Sequence, residues 1–366
     1  MSDDAASGED DEEDLTQRNT KMIDTLIQYK NNIDTTFSDG TWDKYKKYTN
    51  DYELVFTSMD MHKSISKYVP ISRSFFKMWE ILHYFEKSFS NEHNRCLFMA
   101  EGPGGFVEAF SKWRGDRLRN DDIFVTTLVN AEDKSVPSLR IPKWVSKGSK
   151  QLGILYGPKK NGDICDIENM NGIIGEIGLN SCHVVTGDGG FDFSANFNDQ
   201  EYMSTVLLVC EVLLALQVQK ENGTFVLKMY DISLHSSFQL RTLLQKSYRS
   251  VRIIKPRTSR PANSEKYLVC TGYVVQTGLS FVPMLTEYLT DTKKNISIDV
   301  PIGVLRAIIE FNSRFVMNQI TYIVKTMHYI ENKDTINMDD VIKSQINKGT
   351  KWCKKYNIPY HSFFLE

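Results

Sequence analysis

The pattern of hydrophobic positions along the chain changes three times, and the changes divide it into four blocks. Residues 1–20 are polar and acidic with no apolar period, which predicts a disordered tail. From Lys21 to Tyr68 the residues Met22, Ile23, Leu26 and Ile27 recur at helical spacing. The next stretch predicts a helix over 72–89: Ser72 is a plausible N-cap, and Phe75, Phe76, Trp79, Leu82 and Phe85 repeat along one face. Short apolar runs suited to buried strands follow at Cys96–Met99, Ile123–Val129, Gly153–Tyr156, His183–Thr186, Thr224–Lys228, Val251–Ile254 and Tyr267–Val275. Helical stretches lie between several of them, notably Gly105–Trp113, Glu201–Gln219 and Ser236–Tyr248. Continuous apolar strands alternating with helices predict an α/β fold, a largely parallel sheet covered on both faces. The loop Lys255–Lys266 between the last two runs is short enough to permit an antiparallel final strand. Beyond Ser280, Val304, Ile308, Phe311, Phe315, Ile320, Ile323 and Met327 predict one long amphipathic helix or two in series, and Lys343–Lys355 a second, basic helix carrying Trp352. The expected blocks are therefore 1–20, 21–67, 68–279 and 280–366, the last a helical extension packed on the sheet domain.

Composition narrows the class. Of 366 residues, 41% are hydrophobic and 25% charged, ordinary globular material, and no run of eighteen apolar residues predicts a membrane span. The acidic amino terminus has no apolar core of a signal peptide. Six cysteines, at 96, 165, 182, 210, 270 and 353, form no CxxC pair, and the seven histidines show no metal spacing. Reduced thiols in a cytosol-like compartment and no zinc site are the expectation. The formal charge of -2 hides an asymmetry, because eight acids fall between Asp3 and Asp14 with no basic residue among them. Without them the body carries +6 (-2 plus 8), which suits an anionic partner, as it also suits many neutral enzymes. The tail reads as a solubilising segment or as an internal competitor for that anionic partner.

The chemistry-bearing residues sit in five local contexts. Ala100-Glu101-Gly102-Pro103-Gly104-Gly105-Phe106 joins a predicted strand to a predicted helix, where glycines allow a tight turn and close approach of a ligand. It lacks the spacing of the dinucleotide G-x-G-x-x-G and the Gly-Lys-Ser/Thr ending of a P-loop. The other four contexts are Lys77 in Ser72-Arg73-Ser74-Phe75-Phe76-Lys77, Asp188 in Thr186-Gly187-Asp188-Gly189-Gly190, Lys228 in Gly223-Thr224-Phe225-Val226-Leu227-Lys228, and Glu265 in Asn263-Ser264-Glu265-Lys266-Tyr267. Singly, the first reads as a strand-to-helix turn, Asp188 as a turn residue and Lys228 as a solvated strand end. In this order they resemble the cofactor loop and the Lys-Asp-Lys-Glu tetrad of the FtsJ-like RNA 2′-O-methyltransferases, over roughly residues 68–276.

That resemblance implies a Rossmann-like methyltransferase sheet, with the antiparallel strand at its edge, and S-adenosylmethionine as cofactor. It implies cofactor contacts from Glu101, Gly102, Pro103, Gly104, Gly105, Phe106 and Asp188, an adenine contact from Asp163 in Gly162-Asp163-Ile164, and ribose contacts from Glu132 or Asp133. One departure stands out: where relatives carry an Asp five residues before the loop proline, this chain has Phe98, and Glu101 is the nearest acid. Lys77, Asp188, Lys228 and Glu265 become the catalytic set. A ribose 2′-hydroxyl is a poor nucleophile, so it must lose its proton as it attacks an aligned methyl group. Lys228 is the candidate base, which requires its pKa to fall from about 10.4, helped by Lys77, while Asp188 and Glu265 orient it. Lys255-Pro256-Arg257-Thr258-Ser259-Arg260-Pro261 resembles the family's Lys-Pro-x-x-Ser-Arg stretch and makes Lys255, Arg257, Ser259 and Arg260 candidates for RNA contacts, with Arg73, one turn before Lys77, a fifth.

Gly-Asp-Gly-Gly, Gly-Asp-Ile and Glu-Gly-Pro-Gly-Gly are more similar to the cap-specific mRNA branch than to bacterial ribosomal enzymes. Lys351-Trp352-Cys353-Lys354-Lys355-Tyr356 is similar to members from large cytoplasmic DNA viruses, for which the host cytoplasm or virion is the expected location. The implied activity is methylation of the first transcribed nucleotide, cap 0 to cap 1, on capped mRNA, with other capping enzymes or RNA polymerase as partners. Methylation of ribosomal or other structured RNA and a non-catalytic RNA-binding subunit are the alternatives. A small-molecule methyltransferase fits the sheet but leaves the tetrad unexplained.

Overall fold

The computed structural model describes residues 3–37, 40–57, 64–130, 132–133, 136–190, 200–291 and 295–362, with side chains from residue 13 onward apart from 34, 200, 202 and 203. The chain forms two compact units, one of Met1–Arg73, Pro256–Ser264 and Pro301–Glu366, the other of Ser74–Lys255 and Glu265–Val300. The basic loop after Lys255 thus belongs with the terminal segments, inside the stretch 68–279 expected as one block.

The first unit is helical. It contains α1 (Asp3–Thr36) and α2 (Thr41–Tyr48), and, from the far end of the chain, α12 (Ile302–Glu331) and α13 (Met338–Lys355). Residues 3–20, expected to be disordered, are instead the leading half of α1. The apolar positions of 22–27 extend the helical period backward, Arg18 pairs with Asp14 one turn earlier, and acids at a helix amino end oppose its dipole. The long amphipathic pattern of 304–327 is one helix, and its stripe Val316, Ile320 and Ile323 packs on Leu26, Met22 and Ile23 of α1. α13 begins at Met338, before the expected 343, because the Asn337 side chain accepts the Asp339 amide at 3.1 Å and caps it. Gln345 on α13 donates to the carbonyls of Lys47, Tyr48 and Asn50, fastening it beside α2.

The second unit is the sheet. Its helices are α3 (Ser74–Tyr84), α4 (Glu86–Phe89), α5 (Gly105–Arg114), α6 (Lys143–Gly148), α7 (Ile167–Ile177), α8 (Gln200–Val218), α9 (His235–Ser247), α10 (Val275–Ser280) and α11 (Val282–Thr290). Its strands are β1 (Arg95–Met99), β2 (Asp122–Val125), β3 (Gln151–Ile154), β4 (Cys182–Gly187), β5 (Gln219–Met229), β6 (Tyr248–Ile254) and β7 (Lys266–Tyr273), in spatial order β3-β2-β1-β4-β5-β7-β6. The first five pair in parallel, and β7 runs antiparallel to both its neighbours. The antiparallel strand therefore lies between β5 and β6, one place in from the edge where it was expected. The hairpin-like return from β6 to β7 inserts it there, so that β7 gains two partners while β6 takes the edge. The helix expected over 72–89 begins at Ser74 and breaks at Phe85, leaving Ser72 outside it.

Burial explains the pattern. Cys96, Leu97, Phe98 and Met99 on β1 and Val184 and Val185 on β4 are wholly buried, as are Val209, Cys210, Val212 and Leu214 on α8. Each such aliphatic side chain contributes about 1.5–3 kcal/mol on burial, which outweighs the weak local preference of a run like Cys96–Met99 for any one conformation.

Candidate active site

Strand register brings distant residues to one rim. Met99 of β1 pairs with Gly187 of β4, which pairs with Leu227 of β5. The next residues outward on these three strands are Ala100, Asp188 and Lys228, at the carboxyl ends where open α/β sheets bind ligands. β7 runs the other way, with Lys228 opposite Tyr267 and Met229 opposite Lys266, so Glu265 enters the same rim just before β7 starts. α3 carries Lys77 among buried neighbours Phe75, Phe76, Met78 and Trp79.

The four candidate catalytic side chains form two contacting pairs. Lys77 Nζ lies 2.7 Å from Glu265 Oε1 and donates to Oε2 at 2.8 Å. Lys228 Nζ donates to the Asp188 main-chain carbonyl at 2.8 Å and lies 3.4 Å from Oδ1. The Tyr267 hydroxyl donates to the same Oδ1 at 3.0 Å, and Lys255 Nζ donates to the Glu265 carbonyl at 2.9 Å. Two lysines and two carboxylates leave the group near neutral overall. Gly190 holds the turn close: a Cβ there would come within 2.7 Å of the Tyr230 hydroxyl and 3.1 Å of Lys228 Nζ.

Electrostatics differ from the expectation in one respect. Burial pulls the Lys228 pKa down, but Asp188, Tyr230 and Glu265 outweigh it and hold the ammonium well above the ordinary lysine value. Lys228 is thus not lowered toward neutrality in the free protein, because its nearest charges are anions rather than Lys77. Burial likewise raises the Asp188 carboxyl against the pull of Lys228 and Lys77. Glu265, which burial alone would raise, is brought down to about 2 by Lys77 and Lys228. Lys255 is lowered to about 7 by burial and by Lys266.

The glycine loop lies beside this group. Glu101 Oε1 accepts the amides of Phe106 and Val107 at 2.7 and 2.9 Å, at the start of α5. Its buried Oε2 has no hydrogen-bond partner among the described residues. Burial pushes this carboxyl well above the usual range, with the Val107 amide opposing and Asp188 adding to the rise. Gly102 donates to Thr127 Oγ1 at 3.2 Å, and a Cβ there would meet the Pro137 carbonyl oxygen at 2.5 Å. Gly104 adopts φ 122°, open to glycine. Pro103 accepts from the Arg140 amide at 2.8 Å, and Gly105 and Phe106 are buried in the first turn of α5. Asp163 Oδ1 accepts the Cys165 amide at 2.9 Å in a turn after β3. Glu132 is exposed, its amide bonded to Asn130 Oδ1. A backbone kept bare of side chains, with an unmatched buried carboxyl oxygen, fits a ligand that brings its own polar groups.

The RNA candidates fare unequally. Arg73 lies before α3 rather than on it and donates to the carbonyls of Tyr52, Glu53, Phe56 and Thr258, so its guanidinium braces the helical unit. Arg260 is held by both carboxylate oxygens of Glu53 at 2.9 and 3.2 Å. Ser259 is buried, and Lys255 is turned onto Glu265. Arg257 is exposed, with one nitrogen 3.0 Å from the Tyr52 hydroxyl. Sequence reasoning missed Glu53, Tyr267 and Glu211. Tyr267 stood two residues from Glu265, and Glu211 was the lone charge in the apolar run 206–216, each a readable signal. Among the described residues no cluster of His, Cys, Asp or Glu suits a metal ion, and no helix is long and apolar enough to cross a membrane.

The sequence model of the FtsJ-like methyltransferase family matches residues 70–273. The chain is 29% identical over 295 residues to cap-specific mRNA (nucleoside-2′-O-)-methyltransferase 1A of Caenorhabditis briggsae, covering 74% of this chain and 32% of that one. It is 30% identical over 262 residues to cap-specific mRNA (nucleoside-2′-O-)-methyltransferase 1 of Caenorhabditis elegans, covering 70% and 26%. It is also 28% identical over 291 residues to the inactive cap-specific mRNA (nucleoside-2′-O-)-methyltransferase 1B of Caenorhabditis briggsae, covering 74% and 33%. The chain spans about a third of the length of these curated relatives.

Proposed function

The chain belongs to the FtsJ-like methyltransferase family, and from that premise we propose that it methylates the 2′-oxygen of the first transcribed nucleotide of capped mRNA, using S-adenosylmethionine. The observation that carries the reading is the meeting of Lys77, Asp188, Lys228 and Glu265, drawn from positions 188 residues apart, at one strand rim beside the glycine loop. Glu101, Gly102, Pro103, Gly104, Gly105 and Phe106 are the proposed cradle of the cofactor, with Asp163 and Glu132 toward its adenosine. S-adenosylmethionine supplies an electrophilic methyl group on a positively charged sulfur. Lys228 takes the ribose proton as the neutral amine, having first given its own proton to solvent. Asp188 holds its ammonium in the free protein, and added positive charge beside Lys228 lowers its proton affinity toward what a base needs. Asp188 and Tyr267 keep the amine directed, and the Lys77–Glu265 pair orients the ribose or its phosphate. Arg257 is the proposed strand contact. The names of the relatives support a capped substrate, and six free cysteines suit a reducing compartment such as cytoplasm.

Radiolabelled methyl transfer to N7-methylated capped, unmethylated capped and uncapped short RNAs tests the reading, with Lys228→Ala alongside. Transfer confined to capped RNA and lost in the variant is the expected result. Equal transfer to uncapped RNA moves the substrate to ribosomal or other structured RNA. A second reading, a non-catalytic RNA-binding subunit, draws on the similarity to an inactive relative; RNA binding without transfer under all three conditions would select it.

A further inference from the structure

One buried acid beside the rim has no part in the chemistry described above. Glu211 on α8 is 1% exposed, and its Oε1 accepts the Gly189 amide at 3.1 Å. The same carboxyl occupies the space on both sides of Asp188. A Cβ on Gly187 would lie 2.8–3.0 Å from its Cδ, Oε1 and Oε2, and one on Gly189 would lie 2.7 Å from Oε1. A side chain at Gly187 or Gly189 would have to displace this carboxyl, and one at Gly189 would also meet Leu207 Cδ2 at 2.8 Å. In a helix whose neighbouring positions, from Leu208 to Leu216, are buried and apolar, a charged residue would otherwise be costly.

We propose that Glu211 is a positioning residue for methyl transfer, a clamp that fixes the Gly187–Gly190 turn so that Asp188 meets both Lys228 and Tyr267. The proposal rests on the tetrad reading above and adds a member the family resemblance did not supply. Glu211 takes the Gly189 end of the turn, while the Asp188 carbonyl is held by Lys228 Nζ at 2.8 Å and its amide reaches the Met99 carbonyl at 3.4 Å. The carboxyl raised to about 8, mainly by burial with the Gly189 amide and Lys228 opposing, agrees with a neutral clamp at pH 7. A neutral carboxyl accepts the Gly189 amide without adding a second anion beside Asp188, so a neutral isostere serves as well.

The test compares the full chain with Glu211→Gln, Glu211→Ala and Lys228→Ala in transfer to capped RNA. The folded fraction is taken from circular dichroism, and kcat is expressed per folded molecule. If the wild type transfers nothing, the functional reading fails before this one is reached. With an active wild type, Glu211→Gln keeps kcat within about 3-fold, because its amide oxygen still accepts from Gly189. Glu211→Ala lowers kcat by about 30–100-fold, the scale of a slightly misplaced catalytic group, while KM for RNA stays within about 2-fold. A folded Glu211→Ala with undiminished kcat, a Glu211→Gln as impaired as the alanine variant, or a loss carried by KM alone would each overturn the proposal.

Discussion

Replacing Glu265 by Gln removes one charge from the Lys77 pair while keeping the shape of the side chain. The two side chains are 15% and 11% exposed and contact through both carboxylate oxygens, so solvent screens them little. A carboxyl moved from 4.5 to about 2 by its folded surroundings contributes ~3 kcal/mol to stability at pH 7. Removing one partner of a covered ion pair costs a comparable ~3–5 kcal/mol. The folded pKa lies below the unfolded one, so this stability is complete above about 4.5 and drains away as pH falls toward about 2. By about pH 3.5 some 1.4 kcal/mol of it is lost. Urea denaturation of wild type and Glu265→Gln at pH 7 and about pH 3.5 reads both quantities. A wild-type advantage of ~3 kcal/mol at pH 7, narrowing by ~1.4 kcal/mol at the lower pH, is expected. An advantage below ~1 kcal/mol at pH 7, or one that stays constant between the two pH values, would refute the account of the pair.

Lys228→Ala should cut methyl transfer by about 10²–10⁴-fold, with cofactor affinity from calorimetry changed only slightly, since the loss falls on proton transfer. Tyr267→Phe removes the hydroxyl that donates to Asp188; kcat should fall about 10-fold in steady-state assays, the worth of a hydrogen bond to a charged acceptor. Gly102→Ala drives a Cβ onto the Pro137 carbonyl and should cost ~1–3 kcal/mol in thermal melts and weaken cofactor binding. Arg257→Ala should weaken RNA binding and reduce the salt slope by about one without changing stability, whereas Arg73→Ala, stripping partners from four carbonyls, should lower the melting temperature.

The order of elements was legible in the chain because its signals are local. Seven apolar runs became seven strands within a few residues of their expected limits, since a buried parallel strand must be apolar on both faces. Gly-Asp-Gly-Gly and Glu-Gly-Pro-Gly-Gly were visible for the same reason: glycine is required where something approaches the backbone, and the requirement is written at the position itself. What approaches is a tertiary matter. Only register brings Glu265 to the rim that carries Lys228, because β7 turns back between β5 and β6 and Lys228 falls opposite Tyr267. Only packing puts Glu211 beneath Asp188, or turns Arg73 and Arg260 inward onto Glu53 and its neighbours. Net charge and motif spacing cannot tell an inward arginine from an outward one, since both carry the same five donors. Nor can they fix the protonation of Lys228, because a pKa sums burial against every nearby charge, and those neighbours, Asp188 after β4, Tyr230 after β5, Glu211 on α8 and Glu265 before β7, come within reach only when the sheet closes its rim.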